Sequence, residues 1–145
     1  MNETKRFSLV KPTIDTPFEI DFDWWKQHDN NWHIYLYSIL CPEHQAVFAN
    51  ADQDIRIDTV DPETAEVHTV DGLLNVLITH CARQPDFLTQ NTSLVDSVFR
   101  VLLANGNRPM TPRELGAAIN RPPETILRTF SGITIYKGIR PKHSQ

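Results

Sequence analysis

Two short stretches of the sequence combine cysteine with histidine at spacings that suit a metal ion. Cys41-Pro-Glu-His44 has the two-residue gap of a metal-binding half-site, and the adjacent His80 and Cys81 supply a second pair. Two thiolates and two imidazoles are a common ligand set for tetrahedral zinc. Because four protein ligands leave no position open for a substrate, a zinc ion bound here would be structural.

The same residues also have a purely structural interpretation. Cys81 falls on the apolar stripe of a predicted helix, GLLNVLITHCAR, where a buried free cysteine is common. On a continuous helix, the side chains of His80 and Cys81 would diverge by about 100°. Two alternatives therefore stay open: a zinc site, in which His33 or His68 can replace one ligand, or two core cysteines with incidental histidines.

Signatures of catalysis are otherwise absent from the sequence. The five glycines are scattered and form no phosphate-binding loop, and the serines lack the context of a nucleophile elbow. Glu19, Asp21 and Asp23 alternate along one predicted strand, which is typical of a solvated face. We therefore expect a protein that is not an enzyme. A metal-dependent enzyme built around Cys41 and His44 is the least favoured alternative.

The composition is that of a folded domain without membrane spans. Apolar residues make up 40% of the 145 residues and charged residues 22%. No apolar run approaches the roughly 18 residues of a membrane span. The first 20 residues contain acids and prolines where a secretory signal would have an apolar core. These features predict a cytoplasmic protein without a membrane partner, and two cysteines are too few for a disulfide framework.

Charge divides the chain into an acidic part and a basic part. Residues 1–92 contain six Lys/Arg and 15 Asp/Glu, whereas residues 93–145 contain eight Lys/Arg and three Asp/Glu. We predict an N-terminal arm over 1–17, an acidic α+β module over 18–88 and a basic helical domain over 93–141. Opposite charges suggest modules with different partners. The acidic module is expected to bind a protein partner or a second copy of the chain, and mutual attraction of the two parts is the alternative.

Hydrophobic periodicity predicts a mostly α fold with a small amount of β structure, of the α+β class. FEIDFDW alternates apolar and acidic residues as a strand does, and DIRIDTV and AEVHTV flank DPET as the strands of a hairpin do. Between and after these segments, apolar residues recur at threes and fours, which indicates short amphipathic helices.

Residues 111–130, TPRELGAAINRPPETILRTF, contain the signals of two short helices joined by a tight turn. Thr111 and Glu114 have the spacing of a capping box, and Pro112 suits the first helical position. A capped helix begins earlier, at Ser93, and an extended segment, ITIYKGIRP, follows. The resulting order is three helices and then a strand.

This order resembles the winged-helix branch of the helix-turn-helix superfamily in bacterial regulators, over about residues 93–141. The resemblance implies close crossing of two helices at Gly116 or Ala117 and a wing at ITIYKGIRP. It implies DNA as a partner and a role as a transcription regulator or accessory protein, without catalysis. The alternative is a structural or adaptor subunit of a larger assembly, in which the winged helix contacts protein.

Seven residues of this segment are the expected DNA contacts. A helix in the major groove reads bases with polar or basic side chains near its N-terminus, while nearby cations bind phosphates. The expected base-facing residues are Arg121, Thr125 and Arg128. The expected phosphate contacts are Arg113, Lys137, Arg140 and Lys142.

Overall fold

The computed structural model describes residues 11–49, 56–88 and 93–142, and its elements confirm the predicted α+β class with helix in excess. The strands are β1 (Phe18–Ile20), β2 (Arg56–Val60), β3 (Val67–Asp71) and β4 (Ile139–Pro141). The helices are α1 (Phe22–His28), α2 (Trp32–Ser38), α3 (Pro42–Phe48), α4 (Gly72–Thr79), a 3₁₀ helix (Cys81–Arg83), α5 (Leu94–Ala104), α6 (Pro112–Ile119) and α7 (Pro123–Phe130). Within the described ranges, no helix has the length and apolar character needed to cross a bilayer.

The chain divides into two compact units whose boundary lies within α1. We call residues 26–49 and 56–88 the central unit, and residues 11–25 and 93–142 the terminal unit. This division differs from the predicted modules, which placed residues 18–25 with the acidic part of the chain. The structure instead assigns β1 and the first half of α1 to the same unit as α5–α7.

Pairing between β1 and β4 explains the changed boundary. The two strands are antiparallel, with Phe18 opposite Pro141 and Ile20 opposite Ile139. The Asn107 side chain completes the strand edge, because it accepts from the Ile20 backbone N–H and donates to its carbonyl, both at 2.9 Å. The alternation that predicted a strand at FEIDFDW is therefore real, but the strand ends at Ile20 and its partner lies 120 residues away.

The strand in the segment predicted as a wing pairs with β1 and does not form a hairpin within that segment. β4 hydrogen-bonds to β1, and residues 131–138 form bends and turns in which Ile133 is fully exposed. Gly138 has φ +76°, and a Cβ there would lie 2.7 Å from the Asp21 carbonyl oxygen. The Asp21 N–H donates to the Gly138 carbonyl at 2.7 Å, so the glycine allows two backbones to meet at this point.

The core of the terminal unit joins α5 to the helical pair α6–α7 and to β1. Its fully buried side chains include Phe18, Trp25, Phe99, Leu102, Leu115, Ile126 and Ile139. The Trp25 and Phe99 rings meet edge to face, with centroids 5.4 Å apart. Trp25 therefore packs in the core of the terminal unit.

α6 begins with the predicted capping box, and the turn between α6 and α7 contains a close backbone approach. The Thr111 hydroxyl accepts from the Glu114 N–H at 3.1 Å, and the Glu114 carboxylate accepts from the Thr111 N–H at 2.9 Å. Asn120 ends α6 in the left-handed conformation, with φ 60°. Gly116 is buried, and a Cβ there would lie only 2.5 Å from the Arg121 carbonyl oxygen. Gly116 is thus the residue that permits the close crossing, since Ala117 is exposed.

We predict that Gly116→Ala destabilises the protein by about 1–3 kcal/mol, because the added methyl group meets a backbone atom that cannot move independently. Gly132→Ala is the matched control, since no atom lies within 4 Å of the position its Cβ would occupy. Urea unfolding followed by circular dichroism measures both variants. Equal stability of the two variants would show that the turn does not require glycine.

Candidate metal centre

The first half of the site lies at the start of α3. Pro42 occupies the first helical position and Cys41 is the N-cap, with an extended backbone at φ −66° and ψ 158°. His44 follows in the first helical turn, and its N–H donates to the Cys41 carbonyl at 3.0 Å. This spacing directs the cysteine and histidine side chains to the same side of the helix start.

The second half of the site depends on where α4 ends. The helix ends at Thr79, His80 has φ −128° and ψ −61°, and Cys81 begins a 3₁₀ helix. The prediction of one continuous helix through Cys81 is therefore wrong, and so is the divergence of about 100° expected on such a helix. The irregular backbone at His80 instead lets two adjacent side chains approach the same point.

The four candidate ligand atoms converge on one position. All of them lie within 4.8 Å of one another. The Cys41 sulfur is 3.3 Å from His44 Nδ1, 3.6 Å from His80 Nδ1 and 3.4 Å from the Cys81 sulfur. The Cys81 sulfur is 3.8 Å from His44 Nδ1. These four residues can therefore hold a metal ion such as zinc.

The distances have the size that a tetrahedral zinc site requires. Zinc–sulfur bonds of about 2.3 Å and zinc–nitrogen bonds of about 2.0–2.1 Å imply a sulfur–nitrogen separation of about 3.6 Å and a sulfur–sulfur separation of about 3.8 Å. Three of the four sulfur–nitrogen distances lie within about 0.3 Å of this value, and the two sulfurs need to separate by about 0.4 Å. All pairs of ligand atoms lie within 4.8 Å of one another.

Burial disfavours ionisation of the Cys81 thiol. Cys81 is 1% exposed, and burial raises the pKa of its thiol to about 11. A divalent cation would supply the positive charge that a buried thiolate lacks. Cys41, His44 and His80 are half-buried, so an ion can reach the site from the surface of the central unit.

Gln84 lies behind one of the imidazoles and was not predicted from the sequence. Its Nε2 donates to the His80 carbonyl at 3.2 Å and lies 3.5 Å from His80 Nε2. When Nδ1 binds a metal, Nε2 carries the proton, and a rotated Gln84 amide would accept it through its oxygen. The spacing of four residues between His80 and Gln84 is the sequence signal that could have identified this contact.

The two alternative histidine ligands lie outside the cluster. His33 Nε2 is 2.5 Å from an Asp71 carboxylate oxygen, and His68 is exposed on β3. The candidate ligand set is therefore two cysteines and two histidines. Such a complete set is typical of structural zinc, because a catalytic zinc keeps one position for water or substrate.

Among the expected DNA contacts, the base-facing residues lie on α7 or immediately before it. Arg121 and Arg128 are exposed, and Thr125 is half-buried. Within the described part of the chain, neither arginine forms an ion pair. Ile126 and Phe130 are buried and attach α7 to the core, which leaves Arg128 on the outer side of the helix.

The residues expected to bind phosphate differ in the interactions that they already form within the chain. Arg113 binds Asp15 through two hydrogen bonds, at 3.0 and 3.3 Å, and each residue shifts the pKa of the other toward the charged form. Arg140 is 3.9 Å from Asp21 and lies over the Trp24 ring. Lys137 is half-buried with φ 53°, and Lys142 is exposed.

The changed unit boundary also reduces the expected positive charge. Including residues 11–25, the described part of the terminal unit has nine Lys/Arg and seven Asp/Glu, a net charge of +2. The basic character is therefore local to exposed side chains such as Arg121, Arg128 and Lys142, and is not a property of the whole unit.

A comparison with family models, with curated proteins and with solved structures finds no match to this chain. The winged-helix resemblance consequently stays a prediction, and the functional argument depends on the geometry of the chain itself.

Proposed function

We propose that this chain is a non-catalytic zinc protein in which one structural ion holds together the central unit. The convergence of Cys41, His44, His80 and Cys81 within 4.8 Å carries this proposal. The ligands come from the start of α3 and from the end of α4, which are separated by 35 residues in sequence. One ion would therefore crosslink two helix termini and close the intervening loop.

The hydrophobic core of the central unit explains why such a crosslink matters. The unit has short helices of seven or eight residues and a hairpin whose strands are largely exposed. Its fully buried side chains include Leu36, Leu73 and Leu77, where α2 packs against α4. A core of this size gives limited stability on its own, and metal binding adds its free energy to folding.

The first test is metal titration of the chelator-treated protein. We expect one equivalent of Co²⁺ to give the visible bands of tetrahedral cobalt together with near-ultraviolet thiolate charge-transfer bands. Cys41→Ser and His80→Ala should each weaken binding at least about tenfold. His68→Ala is the matched control, since this histidine is exposed in the same unit, and it should leave the titration unchanged. Octahedral cobalt spectra without charge-transfer bands would contradict the proposed ligand set.

Metal removal should also destabilise the protein. A ligand at a concentration 100 times its Kd stabilises by about 2.7 kcal/mol. For a domain of this size we therefore expect the zinc-loaded protein to melt about 10 °C or more above the chelated protein. Differential scanning calorimetry measures the shift. In Cys81→Ser the shift should disappear, and a shift that persisted there would place the metal elsewhere.

We further propose DNA binding by the terminal unit as a second function, with the protein acting as a transcription regulator or accessory factor. The observation that favours it is the exposure of Arg128 on the outer side of α7 and of Arg121 just before that helix. The capping box and the Gly116 contact support it, because they give α6 and α7 a well-defined turn. The alternative is an adaptor subunit whose α7 contacts protein.

We predict that the zinc-loaded protein binds random duplex DNA with an affinity that falls steeply with salt. Three exposed cations, Arg121, Arg128 and Lys142, correspond to a slope of about 2 to 3 in log affinity against log salt. Arg121→Ala with Arg128→Ala should abolish most of this binding, as measured by gel shift. The matched control combines Arg83→Ala with Arg108→Ala, which removes the same charge from exposed positions outside α7. Failure of the unmodified protein to bind DNA at low salt would favour the adaptor alternative.

A further inference from the structure

The central unit contains a second feature that the metal centre does not explain, a cavity of about 410 Å³. Its lining residues are Lys26, Trp32, His33, Arg56 and Asp71. Small-molecule sites usually have volumes of about 300–1,000 Å³ and combine an apolar or aromatic surface with a few polar groups. The cavity has this size, and its lining is mainly polar with one indole surface, from Trp32.

The folding of the hairpin and of α4 positions one wall of the cavity. In the β2–β3 ladder, Arg56 lies opposite Asp71. One Asp71 oxygen caps α4 by accepting from the Leu74 N–H at 2.9 Å, and the other is 2.5 Å from His33 Nε2. Asp71 is 9% exposed, so its carboxylate is engaged on both oxygens in a buried position. This wall of the cavity therefore depends on Asp71, the residue that also caps α4.

The aromatic side of the cavity is similarly ordered. The Trp32 and His33 rings stack with centroids 3.8 Å apart and an interplanar angle of 25°. The Lys26 ammonium lies 4.8 Å from the centroid of the Trp32 ring, within the range of a cation–π contact. An indole surface and a positive charge are thus adjacent at one cavity.

The distribution of charge makes this cavity unusual within its unit. The described part of the central unit has three Lys/Arg and eight Asp/Glu, a net charge of −5. Two of the three cations, Lys26 and Arg56, line the cavity. Within the described ranges, neither forms an ion pair with a carboxylate. Cations concentrated at one point of an acidic unit indicate an anionic ligand.

We propose that this cavity binds a small organic phosphate that carries a planar ring. Arg56 presents a guanidinium fork and Lys26 an ammonium group, and both bind phosphate oxygens well. The Lys26 ammonium lies over the Trp32 ring in the structure, and a planar ring can stack on this indole when Lys26 turns toward the phosphate. A bare phosphate ion would fill only a small part of 410 Å³, so the remaining volume indicates an organic group. His33, oriented by Asp71, borders the bound phosphate.

The test is isothermal titration of the zinc-loaded protein with adenosine monophosphate, adenosine and inorganic phosphate. We expect the nucleotide to bind at least about tenfold more tightly than either fragment. Lys26→Gln with Arg56→Gln should reduce nucleotide affinity at least about tenfold. Arg83→Gln is the matched control, since it is the remaining cation of the unit and lies outside the cavity.

Each outcome of this titration either supports or overturns the proposal. Equal affinity for adenosine and the nucleotide would overturn the role of the two cations, and equal affinity for inorganic phosphate would overturn the role of the ring. Absence of any nucleotide binding up to millimolar concentration would overturn the site itself. Because Trp32 lines the cavity, Trp32→Phe should also remove any change in tryptophan fluorescence that the nucleotide causes. A change that persisted in this variant would place the nucleotide elsewhere.

Discussion

The end of α4 at Thr79 is the constraint on which the central unit depends. Had the helix continued, His80 and Cys81 would point about 100° apart and no common site could form. The backbone of His80, with φ −128° and ψ −61°, leaves the helical region and turns both side chains toward Cys41 and His44. The apolar stripe of α4 therefore continues to Cys81, whose thiol is buried and also faces the three other potential metal ligands.

The other end of α4 is defined by a single residue, Asp71, with three roles. Asp71 closes the β2–β3 ladder opposite Arg56, caps the helix and holds His33. The metal centre and the polar cavity therefore lie at opposite ends of one eight-residue helix. This arrangement gives α4 fixed termini although its length alone would make an isolated helix of this kind unstable in water.

Features that depend on residues close in sequence could be predicted, whereas contacts between distant residues could not. The capping box of Thr111 and Glu114, the hairpin around Asp61-Pro62 and the fold class follow from residue types within a few positions. The ligand set was predicted as one of two alternatives, because spacing cannot show where a helix ends. β1 was recognised as a strand, but its pairing with β4 depends on tertiary packing. The unit boundary, the net charge of +2 and the absence of a wing hairpin follow from this pairing. The cavity was missed because strand register brings Arg56 opposite Asp71, while Lys26 reaches the same cavity from α1 only in the folded unit.

The most direct test of the metal centre is X-ray absorption at the zinc edge of the zinc-loaded protein. Two sulfur neighbours at about 2.3 Å and two imidazole nitrogens at about 2.0–2.1 Å are expected from the convergence of Cys41, His44, His80 and Cys81. Loss of one sulfur in Cys41→Ser would identify the ligand directly. A first shell of nitrogen and oxygen alone would contradict the account, because it would mean that zinc binds outside the thiol pair.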